Sequence, residues 1–115
     1  MTTVMDLTHG APRSGRELLG EFAWLARLAD KVRADHAGMC GEYIAYCPIS
    51  MGFLERTGVT TDQFDWLVEQ SASDAQILAF FHRHVSGPQT DVANRFILDE
   101  CRSHLDEEDA EEGRA

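Results

Sequence analysis

Ser14 to Glu17, Thr60 to Gln63 and Ser73 to Gln76 each place a Ser or Thr three residues ahead of a Glu or Gln. At that spacing the hydroxyl oxygen accepts from the backbone N–H three residues on, and the longer side chain reaches back to the first residue's N–H. Each pair marks a helix start, because it satisfies two of the backbone donors that a helix leaves unbonded. With Gly38, Gly41 and Gly58 placed as stops, these starts restrict the chain to an all-α fold.

Between these marks the apolar spacing predicts about five helices. The first runs from about Gly15 to Ala37, where Leu18, Phe22, Leu25, Ala29 and Val32 recur at intervals of four, three, four and three. A two-turn helix lies within SMGFLERTGV and ends at Gly58. Others are predicted over 61–70, 74–85 and from about Thr90 to Leu105. Ile77, Leu78, Phe80, Phe81 and Val85 are predicted to face inward, as are Val92, Phe96, Ile97 and Cys101. The aromatic stretch 42–50, interrupted by Pro48, reads as an extended connection with at most one minor strand near 42–48. The predicted organisation is an irregular lead over 1–12, one compact helical bundle over 13–105, and an acidic tail over 106–115. DEEDAEEGRA has too few apolar residues to pack, so the tail is expected to stay mobile.

Charge is the next constraint. Residues 1–40 hold five acids and five bases, whereas 41–115 hold fifteen acids and five bases and so carry the entire net charge of −10. An acidic body of this kind repels phosphate backbones and anionic membranes, so neither nucleic acid nor a membrane is an expected partner. No apolar run approaches the roughly 18–20 residues that span a bilayer, and the N-terminus has no leader pattern. Cys40, Cys47 and Cys101 are odd in number and form no CxxC pair. Free thiols in a reducing cytoplasm are therefore expected.

Against this background the first helix carries an anomalous cluster of bases. On a helical wheel, Arg27, Lys31 and Trp24 fall at about 180–240° from Leu18, one turn apart on a shared face, with Asp30 to one side. A solvated polar face would explain the charges through i,i+3 pairing of Asp30 with Arg27 and Arg33. It would not explain Trp24 on the wet side. Arg13, Ser14 and Arg16 add cations and a hydroxyl at the predicted helix start, where free N–H groups favour an anion. Arg13, Ser14, Trp24, Arg27, Lys31 and Arg33 are thus candidate ligands of a small anion. Asp30 and His36 are candidates for moving a proton beside them, and Cys40, close in sequence to Lys31, Arg33 and His36, for a reactive thiolate.

No metal site is predicted. His36 and Cys40 are separated by Gly38, His82 and His84 point about 160° apart on a helix, and His9 and His104 fall in the two ends. GxSxG, P-loop, GxGxxG and HExxH patterns are absent, and no cofactor is assigned.

The string PRSGRELLGEFAWLARLADKVRA, followed by GEY, FLERTGV, Phe64 and Asn94 with Ile97, resembles the domain-of-unknown-function family five-zero-six-nine. The likeness extends over about residues 6–100. Ala26 stands where a proline is common in that family, and LLGEF replaces a doubled glycine. The resemblance implies a small cytoplasmic bacterial domain in which the charged motif residues act together. It implies no reaction. Two functions follow as expectations: binding of a small anionic ligand at the cationic face, with or without catalysis, or a protein-interaction or homodimerisation module that docks through Trp24 and the same face.

Overall fold

The computed structural model describes residues 4–114. Its first helix, α1, spans Leu25–His36, starting well after the predicted Gly15. Ser14 is not a helix cap: its Oγ accepts from the Arg16 N–H at 3.1 Å, and Glu17 N–H bonds the Ser14 carbonyl at 3.1 Å in an isolated turn. The chain then turns back at Gly20 (φ 60°) and at Trp24 (φ 72°), both left-handed. The Trp24 N–H closes the loop on the Gly15 carbonyl at 2.9 Å. The apolar stripe therefore misleads before Leu25, and Leu18 is exposed.

Every residue of α1 from Leu25 to Ala34 is buried. This helix is the axis of the molecule, not an amphipathic helix with a wet side. The remaining helices are α2 (Pro48–Thr57), α3 (Thr61–Glu69), α4 (Asp74–His84), α5 (Gly87–Arg95) and α6 (Arg102–Glu111). Gly58 stops α2 in the left-handed conformation at φ 79°, as predicted. The boxes at Thr60 and Ser73 are complete, and a third at Ser86 and Gln89 starts α5 ahead of the predicted Thr90. There Pro88 occupies the first turn, where its missing N–H breaks no helical bond. The stretch predicted as extended near 42–48 is a series of turns leading into α2, and no strand occurs among the described residues.

The long last helix is interrupted. Residues Phe96–Glu100 form a π-helical turn, with the Cys101 N–H reaching the Phe96 carbonyl at 3.0 Å. Beyond it, α6 carries the predicted tail back across α1. Residues 106–111 are helical, and the Arg114 N–H bonds the Asp109 carbonyl at 2.7 Å. The tail is thus ordered through residue 114, because ion pairs replace the apolar contacts it lacks; residue 115 lies outside the described residues. The lead is also tied down, by buried Leu7, whose N–H bonds the Met39 carbonyl at 2.9 Å. Residues 1–3 of the predicted lead lie outside the described residues.

Phe22, Phe53 and Phe64 gather around Phe81 at centroid distances of 5.3, 6.1 and 6.2 Å, with Ile77, Ile97 and Leu105 completing the core. Val92, predicted inward, is exposed, and Ala93 takes the inward position. Among the described residues no helix is long and apolar enough to cross a membrane.

Candidate functional site

Burying α1 means burying its charges, and each guanidinium is met by carboxylates from elsewhere in the chain. Arg13 grips Asp30 through its backbone N–H (2.9 Å), Nε (3.0 Å) and a terminal nitrogen (3.0 Å), and reaches Asp74 at 2.9 Å. Arg33 bonds the same Asp74 at 2.9 Å and the Ala72 carbonyl at 3.0 Å. Arg16 pairs with Asp106 and, at 2.9 Å, with Asp109, which also accepts from the Ser14 hydroxyl at 2.8 Å. Arg27, only 1% exposed, holds Glu112 in two parallel bonds of 2.9 and 2.8 Å and approaches Glu108 at 3.3 Å. The Tyr43 hydroxyl donates to the same Glu112 carboxylate at 2.9 Å.

The spacing of α6 makes this possible. Leu105, Glu108 and Glu112 lie three and four residues apart and so share a helix face; Leu105 enters the core and the two glutamates meet Arg27. Burial pushes the Glu112 and Asp74 carboxyls up, but their guanidinium partners outweigh it and hold both below their ordinary values. Among the described residues, two buried guanidinium atoms, Arg27 Nε and Arg33 Nε, and one buried carboxylate oxygen, Glu108 Oε1, find no hydrogen-bond partner.

Lys31 differs from its neighbours. It is 2% exposed, yet among the described residues it forms no ion pair with a carboxylate. Its ammonium lies 5.3 Å from the centroid of the Trp24 ring and donates to Cys47 Sγ at 3.3 Å. Cys47 is the residue immediately before α2 and lies 3.5 Å from the Ser50 hydroxyl, which in turn accepts from the Trp24 indole N–H at 3.0 Å. Burial pushes the Cys47 thiol up; the charge of Lys31 and hydrogen bonds from Ser50 and Lys31 outweigh it, so the thiol sits below its ordinary value. A cleft of about 350 Å³ opens here, lined by Lys31, Tyr43, Cys47, Ile49, His104 and Glu108 among others. A second, of about 330 Å³, shares Glu42, Tyr43 and Glu108 with it and extends to Arg27 and Glu112.

The residues singled out from sequence fall into three groups. Trp24, Arg27 and Lys31 do come together, but inside the protein. Trp24 is 0% exposed and offers no surface to a protein partner or a second copy. Arg13, Ser14, Arg33 and Asp30 belong to the ion-pair lattice beside α4 and α6, and both Asp30 oxygens are held by Arg13. His36 and Cys40 stand apart from the cleft. His36 bonds Asp65 at 3.0 Å, and Cys40 donates to the Tyr43 carbonyl at 2.9 Å. Burial and Asp35 push the Cys40 thiol up, so the favoured thiol is Cys47. His104, predicted to lie in a mobile end, lines the cleft.

Sequence reasoning favoured Cys40 over Cys47 as the reactive thiol, and Tyr43, Glu108 and Glu112 were not candidates. The signals for them were modest: a Cys directly before Pro48 matches a residue preceding a helix whose first position is proline, and Leu105, Glu108 and Glu112 form a helical stripe. Among the described residues no group of three or more His, Cys, Asp or Glu is placed to hold a metal ion.

The fold and site define a single all-α domain built around a buried, charge-matched helix, with one lysine left to a thiol at the edge of a cleft. The chain belongs to the family described as Domain of unknown function (DUF5069), whose model matches residues 9–112. No curated protein matches the chain.

Proposed function

We propose that this domain binds a small anionic ligand in the cleft above Lys31, in the reducing cytoplasm of a bacterial cell. One observation carries the reading: Lys31 is a buried cation with no carboxylate partner among the described residues, in a region where Arg13, Arg16, Arg27 and Arg33 all have one. An ionised group removed from water needs a compensating charge nearby, and removing such a partner is strongly destabilising. The arginines already have theirs, so Lys31 is the cation left to meet an incoming anion, its three N–H donors shared between Cys47 and the ligand. The acids at the cleft narrow the ligand further. Glu42 and Glu108 line the same cleft, so the ligand that fits carries a hydroxyl or amine beside its anionic group.

The test is a thermal-shift screen at low salt using phosphate, sulfate and small hydroxy- and amino-carboxylates. A ligand that binds only the folded state stabilises by about 2.7 kcal/mol at a hundred times its Kd. The native chain is expected to show a concentration-dependent rise in Tm with at least one of these anions, and Lys31→Met to abolish it. No shift with any of them, or a shift that survives Lys31→Met, would defeat the reading.

A further inference from the structure

Cys47 occupies a position that the other two cysteines do not. Its sulfur faces a buried ammonium at 3.3 Å, stands at the N-terminus of a ten-residue helix, and lies on the wall of the cleft. The Ser50 hydroxyl oxygen accepts a hydrogen bond from the Trp24 indole N–H, so its own O–H is free to donate to Sγ at 3.5 Å. Trp24 is held in a left-handed backbone conformation that bulky residues avoid, and its ring lies against Lys31. The surroundings thus converge on one sulfur, and Lys31 meets no other counter-charge among the described residues.

We propose that Cys47 is a thiolate nucleophile and that its substrate is a small anionic electrophile whose charged end rests near Lys31. The substrate class depends on the anion-binding reading above; the thiolate itself does not. In the step, the thiol proton has already passed to solvent. Sγ donates an electron pair to an electrophilic carbon, the S–C bond forms, the bond from that carbon to its leaving group breaks, and the leaving group departs with the bonding pair. No oxidant or cofactor is required. Lys31 from α1, Glu42 and Tyr43 from the turn segment, Ser50 from α2, and His104 and Glu108 from α6 are the polar groups around the cleft. The two acids oppose both a thiolate and an anion. The direct Lys31 contact opposes them at shorter range. Cys40 and Cys101 serve as internal controls, since burial together with Asp35 or Glu100 pushes each thiol up.

The experiment treats the native, reduced chain with iodoacetate or iodoacetamide at neutral pH and follows each cysteine by peptide mass spectrometry. These reagents share a leaving group and differ in charge. Cys47 is expected to react at least about tenfold faster than Cys40 and Cys101. The ratio of its iodoacetate to iodoacetamide rates is expected to exceed that of free glutathione. Lys31→Met should remove both features, while Lys31→Arg should retain part of each. The comparison among the three cysteines needs no variant, so a misfolded Lys31→Met cannot rescue the proposal. Reaction at Cys47 no faster than at the other two would overturn it. Fast reaction at Cys47 without preference for iodoacetate would uphold the thiolate and defeat the anionic ligand.

Discussion

Trp24 shows how one residue's identity and its environment separate. Its importance was visible in the sequence, as an aromatic on a charged face. Its burial was not, because a helical wheel ranks faces of one helix and says nothing of what lies over them. Here the indole is enclosed by Gly15 from the irregular segment, Leu105 from α6 and Ser50 from α2. A Cβ on Gly15 would lie 2.6 Å from the Trp24 ring and 2.7 Å from Leu105. Gly15→Ala must therefore move the ring that supports Arg27 and Lys31, and forced overpacking costs about 1–3 kcal/mol. Urea unfolding should register that loss, together with altered tryptophan fluorescence. Unchanged stability would mean that the indole does not rest on Gly15.

At the level of elements, capping chemistry was legible and charge-driven packing was not. The boxes at Thr60 and Ser73 and the stop at Gly58 act locally, so the sequence announces them directly. Ser14 with Glu17 has the same spacing but lies against the core through Gly15, and tertiary contact overrides the local signal. For α6 the error had another cause. Acidic composition reads as disorder when no cations are in view, and Arg16 and Arg27 lie more than eighty residues earlier in the chain. Glu112→Gln should leave Arg27 underpaired at 1% exposure and destabilise the protein by about 3 kcal/mol, the lower end for a broken buried pair because Glu108 remains. The folded-state value of Glu112 is lowered, so its contribution is complete above the ordinary value of 4.5 and is lost as pH falls through the lower folded value. Tm measured against pH should show the full gap between native and variant above pH 4.5, closing below it. A gap that persists unchanged in strong acid would show that the carboxylate charge is not what holds α6.

Across the whole molecule, the uneven charge becomes intelligible. The five bases of residues 1–40 are drawn into the interior or its edge, and four of them take carboxylates, from Asp30 within that stretch and from the acidic remainder through Asp74, Asp106, Glu108, Asp109 and Glu112. The fifth, Lys31, is left to Cys47. The cluster of bases was thus legible as the centre of the site, while its matching could not be read without knowing which distant acids return to it. A direct test of that leftover pairing is thiolate absorbance near 240 nm, titrated against pH on the native chain, Cys47→Ser and Lys31→Met. One thiol should ionise below the ordinary cysteine value of 9.0; the step should vanish in Cys47→Ser and move upward in Lys31→Met. Three thiols titrating at or above 9.0 in the native chain would contradict the pairing of Lys31 with a Cys47 thiolate.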